Sequence, residues 1–216
     1  MKSPSRLSTG FSALDRVFGG GLTRGFSVYF GGPPGVGKIT LAIQMAFAFA
    51  RQGLRVSFLS RDMLASDLSR YVGRIVAGET SDAVERVCVH CDLTSTGITL
   101  EVIDEAMADE SINVVVIDSV MTASVGKTSG TPHAVSAVVE RMVTQAKKTG
   151  KIAILLGHFN KNGEFYGHLR DRRMVDAVVR MSMSGDTRKM SVVRNGYGRS
   201  PAHAILKFTE HGFEEI

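Results

Sequence analysis

Short apolar runs, rich in β-branched residues, alternate along the chain with stretches whose apolar positions recur at helical spacing. "FSVYF" (26–30) predicts a strand and "KITLAIQMAFAFARQG" (38–53) a helix ending at Gly53. "RVSFLS" (55–60) predicts the next strand, and "LASDLSRYVGRIVAG" (64–78) a helix closed by Gly78. "RVCVH" (86–90) and "VIDEAMADE" (102–110) repeat the alternation, followed by the strand "NVVVID" (113–118). In "TPHAVSAVVERMVTQAKKTG" (131–150), Thr131 is a fitting N-cap, Pro132 takes the first helical position and Gly150 ends the helix. "KIAILLG" (151–157) is again a continuous apolar strand.

Strands apolar on both faces belong in a parallel sheet covered by helices on each side. The tail has a different pattern. "AVVRMSM" (177–183), "KMSVVRN" (189–195) and "AILKFTEHGFEEI" (204–216) predict antiparallel strands joined by turns around Gly185 and Tyr197. The expected fold class is therefore α/β, with a largely parallel central sheet flanked by helices and antiparallel C-terminal strands. No repeat, low-complexity tract or linker interrupts the 216 residues, so one domain over 1–216 is expected.

Composition narrows this only a little. Hydrophobic (44%) and charged (22%) fractions are those of an ordinary globular protein, large enough for a substantial core. A net charge of +5 suits a polyanionic partner without identifying one. No apolar run reaches membrane-spanning length and the start lacks a signal-peptide segment, so a cytoplasmic protein with no membrane partner is expected. The only cysteines, Cys88 and Cys91, form "CVHC". A zinc site needs about four ligands, and His90 faces away if this stretch is a strand. Strand thiols in a reducing compartment are the simpler reading.

The candidate chemistry begins at "GGPPGVGKIT" (31–40), between a predicted strand and a predicted helix. Gly32, Gly37 and Lys38 match a G-x-x-x-x-G-K phosphate loop. In such a loop, backbone N–H groups of Gly32, Gly35, Val36 and Gly37 curl around phosphate oxygens at a helix N-terminus, with Pro33 and Pro34, which have no N–H, completing the loop. Lys38 would neutralise the β- and γ-phosphates. The hydroxyl that normally follows, a magnesium ligand, is replaced by Ile39. Thr40 is rotated by about 100° around the helix and would lie nearer the α-phosphate.

Asp118, ending a buried apolar strand, is placed to hold Mg2+ through a water. Asp62 ends another strand on the same expected edge, where the ligand crevice of an open α/β sheet lies, and could activate a water; alternatively it caps the helix near Leu64. Lys127 in "SVMTASVGKTSGT", and Lys161, Arg170, Arg172 and Arg173 in "HFNKNGEFYGHLRDRR", are interleaved with small or aromatic residues. That mixture suits single-stranded nucleic acid, although a solvated basic loop has the same composition.

Taken in order, these motifs resemble the RecA superfamily of DNA-dependent ATPases, most closely the RadA/Sms branch, over nearly the whole chain. "RLSTGFSALDRVFGGGLTRG" (6–25) is similar to that family's lead-in, "VVVIDSVMT" (114–122) to its Walker B segment, and "LLGHFNKNGEFYGHLRDRRMVDAVVRM" (155–181) to its G-H-x-x-K segment and DNA-binding loop. "FLSRDM" and "HLRDRRMVDAVV" also resemble DnaB-type replicative helicases. The resemblance implies a RecA-like P-loop core using ATP and Mg2+, assembled as a ring or filament on DNA, with a larger recombination or replication partner possible. It makes His158 the sensor of the γ-phosphate, and the loops around Lys127 and Arg170–Arg173 the DNA contacts.

The departures from that pattern concentrate on hydrolysis. Ile39 lacks the hydroxyl, and Asp62 stands where a longer Glu is usual. The family's K-N-R-F-G is here "RNGYG" (194–198): Arg194 keeps one cation directed at a neighbour's nucleotide, while Gly196 removes the other. The family's four-cysteine module and Lon-protease-like domain have no counterpart within the 216 residues. Three readings stay open: a DNA-dependent ATPase, a nucleotide-binding but hydrolysis-poor partner of a DNA-processing complex, and a KaiC-like signalling ATPase.

Overall fold

A computed structural model describes residues 5–61, 63–75, 78, 80–91, 98–126, 128–159, 169–198 and 200–216. Its strands are β1 (Ser27–Gly31), β2 (Val56–Ser60), β3 (Val87–Cys91), β4 (Val114–Asp118), β5 (Ser124–Val125), β6 (Thr128–Ser129), β7 (Ile152–Gly157), β8 (Ala177–Ser184), β9 (Thr187–Asn195), β10 (Ala202–Thr209) and β11 (Gly212–Glu215). Its helices are α1 (Ser12–Val17), α2 (Lys38–Arg51), α3 (Ala65–Ile75), α4 (Ser81–Glu85), α5 (Leu100–Ala108), α6 (Pro132–Thr149) and α7 (Leu169–Met174).

Nine strands form one sheet in the order β11-β10-β9-β8-β1-β7-β4-β2-β3; β5 and β6 make a separate ribbon. From β3 to β8 every pairing is parallel, and from β8 to β11 every pairing is antiparallel. The expected α/β class, with its antiparallel tail, is what the chain adopts. The predicted segment 204–216 is divided into β10 and β11 by a turn at Glu210 and His211.

The apolar runs split by parity, as a pleated strand requires. Val28, Phe30, Val114, Val116, Ile152, Ile154 and Leu156 face one core, which α1 to α4 cover. Tyr29, Val115, Ile117, Ala153 and Leu155 face the other, under α5 and α6. Helix α6 has the ends its sequence predicts: the Thr131 hydroxyl accepts from Ala134 N at 3.2 Å, and Gly150 closes it at φ 72°.

Three polar locks fix the frame. The Asp15 carboxylate accepts from the Ser8 hydroxyl (2.5 Å), Thr9 N (2.8 Å) and the Thr9 hydroxyl (2.7 Å), folding the lead-in segment onto α1. Asp176, only 7% exposed, accepts from Ser27 N (2.8 Å), the Ser27 hydroxyl (2.7 Å) and Lys147 Nζ (2.8 Å), tying the starts of β1 and β8 to the end of α6. On β11, Phe213 forms a pair with Phe208 of β10, but its N–H and C=O meet the Gln44 side chain of α2, at 2.8 and 3.1 Å.

Candidate functional site

The loop leaves β1 at the carboxyl end of a central parallel strand and enters α2 within a few residues, because glycines permit the two sharp reversals. Gly32 is required by close approach: a Cβ there would lie 2.8 Å from the Met181 carbonyl oxygen of β8. Gly37 caps α2 at φ 97°, and a Cβ would lie 2.9 Å from the Phe213 ring and 3.1 Å from the Phe208 ring. Only glycine satisfies both the positive φ and the contact. The Phe208 and Phe213 rings lie 4.9 Å apart with their planes tilted by 57°, and the 8%-exposed Arg188 lies 4.7 Å over Phe208. The C-terminal strands thus form the wall behind the loop.

Lys38 is 9% exposed and its Nζ donates to the carbonyls of Gly32 and Pro33, each at 3.0 Å. Burial lowers its pKa, while the charge of Asp118 opposes that shift. Asp118 ends β4, in register with Leu156 of β7 and Ser60 of β2, and its peptide to Ser119 is cis. His158 follows β7 and its Nδ1 meets Gly32 O at 3.1 Å. A carbonyl only accepts, so Nδ1 carries the proton in this contact. Burial first and the Lys38 charge second lower the His158 pKa, with the Gly32 bond opposing.

Tyr29, on the far face of β1, donates its hydroxyl to the His158 carbonyl at 2.8 Å. Sequence inspection did not single it out. The available signal was a buried tyrosine in an apolar strand, whose hydroxyl needs a partner.

A cleft of about 480 Å³ joins these groups; Gly35, Lys38, Thr40, Asp118, His158 and Phe208 are among its lining. Beside it lies a cavity of about 400 Å³ lined by Ile39, Met63, Asp67, Arg70, Tyr71 and Asp118. Ile39, Tyr71 and Asp118 border both. Ile39 also packs against the core. A larger groove of about 720 Å³ lies elsewhere, between α1 and β10.

Thus Lys38, Ile39, Thr40, Asp118 and His158 converge on one cleft. Arg194 does not join them. It pairs with Val178 of β8, and its guanidinium donates to the Val175 carbonyl, toward the start of the parallel strands and away from the loop. Arg172 and Arg173 lie on α7; Arg172 donates to the Val193 carbonyl at 3.4 Å. Asp62, Lys127 and Lys161 lie outside the described residues, as does the side chain of Arg170. Among the described residues no helix is long and apolar enough to cross a membrane.

A phosphate-type loop on a central strand, answered by an acid and a histidine at neighbouring strand ends, is the layout of a RecA-like P-loop domain. The chain belongs to the AAA domain family, whose model matches residues 3–164. It is 29% identical to the DNA repair protein RadA of Brucella abortus (strain 2308) over 216 residues, covering 98% of this chain and 45% of that protein. It is 32% identical to the RadA of Mycolicibacterium smegmatis (strain ATCC 700084 / mc(2)155) over 215 residues, covering 95% and 44%. The chain therefore spans a little under half the length of these curated relatives.

Its fold matches the RadB recombinase with a TM-score of 0.75 at 20% identity, covering 97% of this chain and 99% of that one. It matches a DnaB-like replicative helicase with a TM-score of 0.81 at 14% identity, covering 100% and 63%.

Proposed function

We propose that the chain binds ATP in the cleft above β1, β4 and β7 and is the nucleotide-binding core of a RadA-like, DNA-dependent ATPase acting in recombination, repair or unwinding, with weakened hydrolysis. The observation that carries this is Lys38: a cation held in a low-exposure cradle by two loop carbonyls, beside Asp118 and His158. A triphosphate offers that ammonium stronger, charged acceptors than the neutral carbonyls it now uses. Single-stranded DNA is the proposed polyanion, met by Arg172 and Arg173 with Lys127, Lys161 and Arg170. In a ring or filament, Arg194 would approach a neighbouring copy's nucleotide, in keeping with its place away from its own loop.

ATP is ordinarily accompanied by Mg2+, which wants an octahedral oxygen set. Among the described residues the Asp118 carboxylate could hold such an ion through a water. The hydroxyl position, however, carries the hydrocarbon of Ile39, which borders both cavities. These residues fit the phosphates; they do not fit a magnesium ion with a hydroxyl ligand from the loop. Ile39 is the observation behind the weakened hydrolysis, and behind a second reading, a nucleotide-binding, hydrolysis-poor partner of a DNA-processing complex.

Phosphate release, measured with and without single-stranded DNA, separates the two. The first reading expects DNA-stimulated turnover that disappears in Lys38→Ala. The second expects ATP binding with little turnover, raised in Ile39→Thr. DNA binding that is absent, or insensitive to salt, would instead favour a signalling ATPase.

A further inference from the structure

The cavity beside the phosphate cleft is bordered by a cation that the loop motif does not account for. Arg70 projects from α3 into the lining it shares with Ile39, Tyr71 and Asp118. One turn further along the helix, the Arg74 guanidinium lies 5.4 Å over the Tyr71 ring, and the Arg74 carbonyl lies 3.4 Å from His211 in the β10–β11 turn. The first contact lies within α3; the second links α3 to the β10–β11 turn. Arg70 itself is held only loosely: its guanidinium is 3.6 Å from Asp67, and its side chain is 83% exposed. An exposed pair of this kind contributes little and is released readily. Asp67 has another duty, accepting the Leu64 N–H at 3.0 Å at the start of α3.

Resting on the reading that this cleft binds ATP, we propose that the triphosphate's charge is met in this chain by two side-chain cations, Lys38 and Arg70, in place of a loop-ligated divalent ion, so that nucleotide affinity is nearly independent of magnesium. Ile39 is the residue common to both: it lines the cleft with Lys38 and the adjoining cavity with Arg70. Lys38 opens the helix on which Ile39 sits, and Arg70 lines the cavity that Ile39 also borders. A guanidinium presents a planar fork of donors to phosphate oxygens and stays charged at any working pH. An isoleucine in the shared wall costs nothing in such an arrangement, whereas beside a hydrated metal it removes an oxygen ligand and offers hydrocarbon to the water shell. The Ile39 substitution and the Arg70 placement then become one device.

The test is direct titration of the 216-residue protein with a fluorescent ATP analogue, once with excess Mg2+ and once with EDTA. Wild-type affinity should change by less than about threefold between the two conditions, and Ile39→Thr should make it change by about tenfold or more, each tenfold being a 1.4 kcal/mol difference. Arg70→Ala, an exposed position, should weaken binding about tenfold in EDTA. A wild-type affinity that collapses on chelation overturns the proposal while leaving ATP binding intact. Unchanged affinity in Arg70→Ala removes Arg70 from it. No binding in either condition overturns the ATP-binding reading itself.

Discussion

Lys38 and His158 donate to one acceptor, the Gly32 carbonyl oxygen, at 3.0 and 3.1 Å. A carbonyl has two lone pairs, so both contacts coexist. When an anion draws Lys38 away, His158 still satisfies Gly32, and the loop keeps its shape without the lysine. Lys38→Met should therefore weaken ATP binding about 10- to 100-fold, the worth of a lost charge-assisted contact. Its unliganded melting temperature should match or exceed wild type, because burial already disfavours the charge. Calorimetric titration and thermal melts measure the two halves; a large loss of unliganded stability would contradict this.

His158 gives a pH signature. Its folded pKa lies below the ordinary value of about 6.5, so the folded protein resists protonation relative to the unfolded chain. The penalty is absent above pH ~6.5, grows as pH falls from there to the folded pKa, and is complete below it. Wild type should lose more stability than His158→Gln between pH 7.5 and 5. A bound phosphate would reverse the local charge and raise the ring's pKa, so ATP affinity should increase on acidification in wild type and stay flatter in the variant. Parallel denaturation and binding series test both signs.

Gly37→Ala places a methyl against Phe213 at a φ of 97°. Strain and clash together should cost at least about 2 kcal/mol and abolish nucleotide binding. Urea denaturation with ATP titration checks it, and an alanine variant that binds normally would mean that the aromatic wall yields.

Asp176→Ala strands the buried Ser27 N–H and leaves Lys147 without its carboxylate. The expected loss is about 2–4 kcal/mol. Nucleotide affinity per folded molecule should hardly change, since Asp176 lies at the opposite end of β1 from the loop. Equilibrium unfolding, combined with titration of the folded fraction, separates these effects.

The architecture was legible because buried parallel strands leave unbroken apolar runs, and because Gly150 and Thr131 carry their helix-end chemistry in their identity. The loop was legible because Gly32, Gly37 and Lys38 are fixed by backbone geometry rather than by distant partners. Asp176 was not, although a lone acid at the head of "AVV" had to find partners if buried. Those partners, Ser27 and Lys147, are 149 and 29 residues away. The break between β10 and β11 was missed for a different reason: Thr209 and Gly212 make the turn, with the Thr209 hydroxyl accepting from His211 N at 3.1 Å, inside a run that otherwise alternates like one strand. Arg194 kept a motif position in the sequence, yet only the register of β9 on β8 shows which edge of the sheet it occupies.

The Gln44 amide that meets Phe213, and the aromatic pair behind Gly37, also set an order of assembly. Gln44 and Phe213 are 169 residues apart, and contacts of such separation form late because the intervening chain must be closed first. The phosphate motif precedes Gln44 in the chain and is synthesised well before this contact can form. Its rear wall, Phe208 and Phe213, follows every parallel strand of the sheet in the sequence. A growing chain therefore carries the motif long before it has the site, and the cradle takes its final shape only when the β10–β11 hairpin closes over α2.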